Sequence, residues 1–239
     1  AMGEGVNSLL ERLSHALQVE RALAANAAHE LRTPLAAVRL RLETALGHDL
    51  SRAEVEAARD ALQTLSHRTE KLLQLSRAES GAALARAPLH LPSLAATVAE
   101  EFWFDPRVAA RLDLQVPDEP LPDVAGDVDA LAIALRNLVE NALRYAGQAR
   151  VDLIVLAPAT LAVRDHGPGV SAAELATLRH RHVRHSADQA GYGLGLSIVG
   201  TIVQQHGGRL VLASPPAGAT RGFEARIELQ PAPPVQAAS

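Results

Sequence analysis

The feature that most restricts what this chain can become is an apolar seam advancing in alternating steps of three and four residues. A helical pattern opens with Val6, Leu9, Leu10, Leu13 and Leu17 and runs without glycine or proline to Ala28, Leu31, Leu35, Val38, Leu42 and Ala45. That period is the a/d seam of a coiled coil or bundle. Pro34 removes one helical N–H and crowds the preceding turn, which predicts a local bend after which the helix resumes. Gly47 is a favoured C-cap, and Ser51 with Glu54 makes a capping box for a second helix. There Val55, Ala58, Leu62, Leu65, Thr69 and Leu72 repeat the spacing, so the two helices pair antiparallel. Two helices cannot enclose a core. Such a hairpin closes most simply by dimerising into a four-helix bundle.

The chain has 239 residues, a formal charge of −4 and no cysteine. That is enough for two modest domains, excludes a disulfide framework and fits a reducing, cytoplasmic setting. With 48% hydrophobic but only 3% aromatic residues, the composition suits helix bundles and small cores. The charge balance argues against a nucleic-acid partner. No apolar run approaches the ~20 residues that a membrane-spanning helix needs.

Beyond Ser80-Gly81-Ala82-Ala83 and Pro88, which mark a domain boundary, the pattern becomes mixed. Leu89-His90-Leu91 reads as a short strand, Ser93 to Phe102 as a helix, and Leu112 to Val116 as a strand. Val128 to Tyr145 is a helix whose stripe of Val128, Leu131, Leu135, Leu138 and Ala142 would face a sheet. Strands are expected at Val151 to Leu156, Leu161 to Asp165, Arg209 to Leu212 and Phe223 to Leu229, with helices at Ser171 to Leu178 and Leu194 to His206. Helices on one face of a mostly antiparallel sheet make an α+β two-layer sandwich. The proline-rich end from Pro231 onward predicts a disordered tail.

Four constellations carry chemistry. His29 lies off the first seam, so its imidazole points outward with Glu30 beside it and Thr33 one turn further along. On the Val128 helix, Asn137, Asn141, Arg144 and Tyr145 share one face. Two amides, a cation and an aromatic can coordinate a hard cation, pair with phosphate and cover a base, although a polar solvent face would look similar. Asp165 ends a strand and is followed by Gly167 and Gly169, a carboxylate able to accept a bond from an exocyclic amine such as that of adenine. Gly191, Gly193 and Gly195 run into a helix start, where backbone N–H groups and the helix dipole favour phosphate.

In this order the four stretches resemble the histidine, asparagine and two glycine boxes of bacterial two-component sensor histidine kinases, over about Val19 to Leu229. The resemblance implies a multidomain chain: an all-α helical hairpin forming a dimeric four-helix bundle, followed by an α+β two-layer sandwich ATP-binding domain. It places the end of a signal-relay helix in residues 1–18, the dimerisation and phosphotransfer domain in 19–83, the catalytic domain in 88–230 and the tail in 231–239. His29 would be the phospho-acceptor, Glu30 the base that takes its proton, and Thr33 the residue that positions water for dephosphorylating a response regulator. Asn141 would hold Mg²⁺, with Asn137 and Arg144 as neighbours of the phosphates and Tyr145 packing beside adenine. Asp165 would accept the adenine amine, while Gly167, Gly169, Gly191, Gly193 and Gly195 shape the pocket and its lid.

ATP, Mg²⁺, a second copy of the chain and the receiver domain of a response regulator are the implied ligands and partners. The resemblance further implies a cytoplasmic piece of a longer inner-membrane protein. Where the family places two phenylalanines, the stretch Leu178 to His185 has none, although Arg184 matches a basic position able to reach the phosphates. That departure keeps open a degenerate kinase acting as a regulator-binding scaffold. His180, His182 and His185 could hold a metal or be solvated. A chaperone- or topoisomerase-type ATPase of the same nucleotide fold is disfavoured by the His29 helix.

Overall fold

A computed structural model of the chain describes Ala36, Arg39, Leu40 and residues 52–79, 85–184 and 194–232. These fall into two compact units, one on either side of residues 81 and 82. In the first, Ala36, Arg39 and Leu40 are helical, and α1 (Arg52–Glu79) is a continuous helix. Within the predicted seam of α1, Ala58 and Leu72 are buried and Leu65 and Thr69 half-buried, while Val55 and Leu62 remain exposed. The bend at Pro34, the Gly47 cap, the Ser51 cap and the Ser80 to Ala83 boundary lie outside the described residues.

The second unit runs β1 (Ala87–Leu89), α2 (Leu91–Trp103), α3 (Pro106–Ala109), β2 (Leu112–Gln115), β3 (Val124–Gly126), α4 (Val128–Tyr145), β4 (Val151–Leu156), β5 (Thr160–Asp165), α5 (Ala172–Arg184), α6 (Gly195–Gln205), β6 (Arg209–Ala213) and β7 (Phe223–Glu228). Its main sheet has the order β2-β4-β5-β7-β6. All neighbours are antiparallel except β2 and β4, which run parallel because α4 makes the crossover between them. Alternation along the strands puts Leu161, Val163 and Asp165 of β5 on one face with their partners Ile227, Ala225 and Phe223 of β7. This face receives α2, α4 and α6, and its core includes Leu91, Leu131, Leu135, Leu138 and Ile198, all at most 2% exposed. The opposite face carries charge. There Glu224, 1% exposed, accepts from Arg164 and Arg226.

Several expectations shift. The strand foreseen at Leu89 to Leu91 ends at Leu89, because Pro92 sits in the first turn of α2 with its φ already set for a helix. Pro88, foreseen as a boundary marker, is instead the middle residue of β1, opposite Ala125 in a two-stranded sheet whose edges tolerate a missing donor. Val128 is 52% exposed: it begins α4, ahead of the turns that the sheet covers. The helix foreseen to close near Leu178 extends to Arg184. Pro231, foreseen in the tail, bridges to Val124, and the Ala232 N–H donates to the Asp123 carbonyl at 2.7 Å.

Candidate active site

A cavity of about 390 Å³ opens between α4, the first turns of α5 and α6, and the ends of β5 and β7. Leu138, Ala142, Val163, Val170, Leu178 and Leu196 make it apolar, and Asn141, Tyr145, Asp165 and Glu174 supply its polar side chains. An apolar slot with few polar anchors suits a flat heterocycle.

Asp165 is 4% exposed at the last ladder position of β5. Its Oδ1 accepts from the Gly167 N–H at 2.8 Å. Burial pushes its pKa above the ordinary aspartate value, opposed by the N–H groups of Gly167 and Phe223 and by His166 nearby. The glycines beyond it answer to close backbone approach. A Cβ on Gly167 would lie 2.8 Å from the Ala146 Cα, and one on Gly169, whose φ is +73°, would lie 2.6 Å from the Gly222 carbonyl oxygen. Ser214 ties this loop down: its Oγ accepts the Val170 N–H at 2.9 Å and lies within bonding distance of the carbonyls of Val170 and Gly222.

On α4 the four predicted residues separate. Asn141 lines the cavity and is half-buried. Asn137, one turn earlier, is 2% exposed, does not line the cavity and donates from Nδ2 to the Ile133 carbonyl at 2.7 Å. A Cβ on Gly195 would stand 3.1 Å from Asn141 Nδ2 and 3.2 Å from Asn137 Oδ1, so the glycine lets the start of α6 rest on both amides. Among the described residues no side chain caps that start, and its first turn holds no acidic residue, an arrangement compatible with an anion at its N–H groups. Tyr145 lines the cavity at 45% exposure, and the Arg144 guanidinium lies 5.6 Å from its ring centroid. Arg144 itself is exposed and outside the lining.

His29, Glu30, Thr33, His185, Gly191 and Gly193 lie outside the described residues, as do the side chains of His180, His182 and Arg184. The structure adds Glu174 and Ser214. Glu174 was legible as the partner of Ser171 in a capping box, and its Oε2 accepts from the Ser171 N–H at 2.8 Å. Ser214 gave no comparable signal, since a serine before Pro215 at a strand end reads as an ordinary turn.

Two family patterns match the chain. The His Kinase A phospho-acceptor domain matches residues 19–81, and the "Histidine kinase-, DNA gyrase B-, and HSP90-like ATPase" matches residues 126–232. The sensor protein BasS of Escherichia coli K12 is 36% identical over 222 residues, 89% of this chain and 59% of BasS. The sensor protein kinase PmrB of Pseudomonas aeruginosa is 35% identical over 94% of this chain and 48% of its own length. The chain thus spans about half to three fifths of these relatives. In fold it is similar to the Acinetobacter baumannii histidine kinase AdeS, with a TM-score of 0.60 at 22% identity over 84% of this chain and 98% of AdeS. A paired phospho-acceptor domain and ATPase domain in this order, on a helical segment followed by an ATP-binding sandwich, mean that the chain belongs to the sensor histidine kinases of two-component systems.

Proposed function

We propose that this chain is the kinase core of a sensor protein: it binds Mg-ATP in the cavity beside Asp165, transfers the γ-phosphoryl group to His29 and passes it to an aspartate of a response regulator. The observation that carries this reading is the buried Asp165 carboxylate, pinned through Oδ1 on the wall of an apolar slot whose lining also holds Asn141 and Leu196 of the first turn of α6. The carboxylate suits the exocyclic amine of a purine, and the helix start suits phosphate. Asn141 fits a magnesium site, because Mg²⁺ takes one or two protein oxygens and leaves its other positions to phosphate and water. When bound, the ion neutralises phosphate charge during transfer.

The chain's own residues do the rest. Glu30 accepts the proton that leaves the imidazole of His29, so that the ring nitrogen attacking phosphorus keeps its lone pair. That nitrogen forms the bond to phosphorus as the bond to the ADP oxygen breaks, and ADP leaves with the electron pair. Thr33 positions water for the reverse task, hydrolysis of the phosphorylated regulator. The exposed Val55 and Leu62 on α1 suit burial against a second copy of the hairpin. A cytoplasmic position, joined to membrane and sensor segments of a longer protein, accords with the share of the relatives that the chain spans. No helix among the described residues is long and apolar enough to cross a membrane.

Incubation with ATP labelled in the γ-phosphate tests the proposal. The expected product is an acid-labile, base-stable phosphoprotein that His29→Gln abolishes. ATP binding without any label would favour the regulator-binding scaffold instead.

A further inference from the structure

Asp165 occupies the last rung of the ladder on both sides, opposite Val151 and Phe223. Past it the chain leaves the sheet and turns through Gly167. The direction of the Asp165 carboxylate therefore depends on how firmly the next residue is held. That residue is His166, and strand alternation turns it away from the cavity to the charged face of the sheet. Its N–H donates to the Arg150 carbonyl at 3.0 Å, and its Nε2 lies 2.7 Å from Asp152 Oδ2.

Asp152 is itself fixed. It is 5% exposed, and its other oxygen accepts from Arg150 Nε at 2.5 Å. Arg150 also reaches Asp113 Oδ2 at 2.8 Å, so the series Asp113, Arg150, Asp152 and His166 links β2 and β4 to the turn after β5. A partner already held in place costs the imidazole bond little further ordering entropy. The half-exposed histidine is thus anchored to the sheet directly behind the residue that faces the ligand.

We propose that His166 is a positioning residue for base recognition: bound to Asp152, it holds the turn that aims Asp165 at the exocyclic amine of the purine, and so sets the preference for adenine over a purine lacking that amine. This rests on the reading of Asp165 as the base contact. His166 touches no part of the nucleotide and acts through its neighbour.

The test measures dissociation constants of Mg-ATP and of Mg-inosine triphosphate, which lacks the amine, for the parent chain, Asp165→Ala, His166→Ala, His166→Gln and the double alanine variant. Asp165→Ala should erase the preference for ATP. His166→Ala should reduce it by about 3- to 10-fold, the effect of one net hydrogen bond, by weakening ATP and leaving the inosine nucleotide unchanged. His166→Gln, whose amide has similar reach, should restore it, and the double variant should match Asp165→Ala alone. Equal weakening of both nucleotides by His166→Ala, or additivity in the double variant, overturns the proposal and leaves His166 a purely structural residue. Should Asp165→Ala itself keep the preference, the base-contact reading fails and this inference with it.

Discussion

Burial raises the pKa of Asp165 above the ordinary aspartate value, so the native state holds its proton more tightly than the unfolded chain does. Its contribution to stability is complete below the ordinary aspartate value and is lost as pH rises through the raised one. At neutral pH the buried carboxylate therefore costs stability, and that cost is offset when a ligand donates to it. Asp165→Asn should raise Tm at pH 7 in the absence of nucleotide, with a gain that shrinks as the pH falls through the raised value towards the ordinary aspartate value, and should weaken ATP binding. Thermal denaturation across a pH series checks this. A variant less stable than the parent at pH 7 would mean that the Gly167 and Phe223 N–H groups outweigh burial.

Among elements, the pairing of α4 with α6 shapes one wall of the cavity, and it is held at both ends. At one, Gly195 lets α6 settle on Asn137 and Asn141. At the other, buried His206 lies with Nδ1 2.7 Å from the Ile202 carbonyl, while Nε2 accepts the Asp127 N–H at 3.0 Å. This tautomer leaves Asp127 free to cap α4 through the Ala130 N–H, which with the Ala85 N–H holds its carboxyl below the usual aspartate range. His206→Ala would leave the Asp127 N–H unmatched in a part-buried place, while the Ile202 carbonyl keeps the backbone N–H of residue 206, a loss of about 2 kcal/mol. For a unit of this size that lowers Tm by roughly 4–8 °C. An unchanged Tm would show that water replaces the ring.

At the scale of the whole molecule, every described residue lining the cavity belongs to the second unit, whereas His29 and Thr33 fall in the stretch 19–81 that matches the phospho-acceptor domain. His29→Gln should accordingly leave ATP affinity within about 2-fold of the parent, since a residue outside the lining gives up no direct bond to nucleotide. A large loss of affinity in the folded variant would contradict the separation. Thr33→Ala should spare His29 phosphorylation, because a hydroxyl one turn away takes no part in that proton transfer, and should slow dephosphorylation of the regulator. Equal loss of both activities would refute the division of labour.

The sequence by itself determined what depends on local spacing. The three-and-four seam marked α1, a nearly continuous apolar run marked β4 at its observed bounds, and glycines beside a carboxylate or a helix start marked where parts of the chain come close to one another. Tertiary structure decided what depends on neighbours far along the chain. Asn137 and Asn141 are indistinguishable by helical phase, yet of the two only Asn141 lines the cavity, while Asn137 is buried with its Nδ2 on the Ile133 carbonyl and Gly195, more than fifty positions later, lies against both. Val128 has the period of a core residue but stands outside the sheet's cover. Ser214 and His166 take their roles from a strand end meeting a turn and from a carboxylate on the adjacent strand, pairings that only strand order and register create. Periodicity tells which side of an element is apolar, but burial is set by what packs against it.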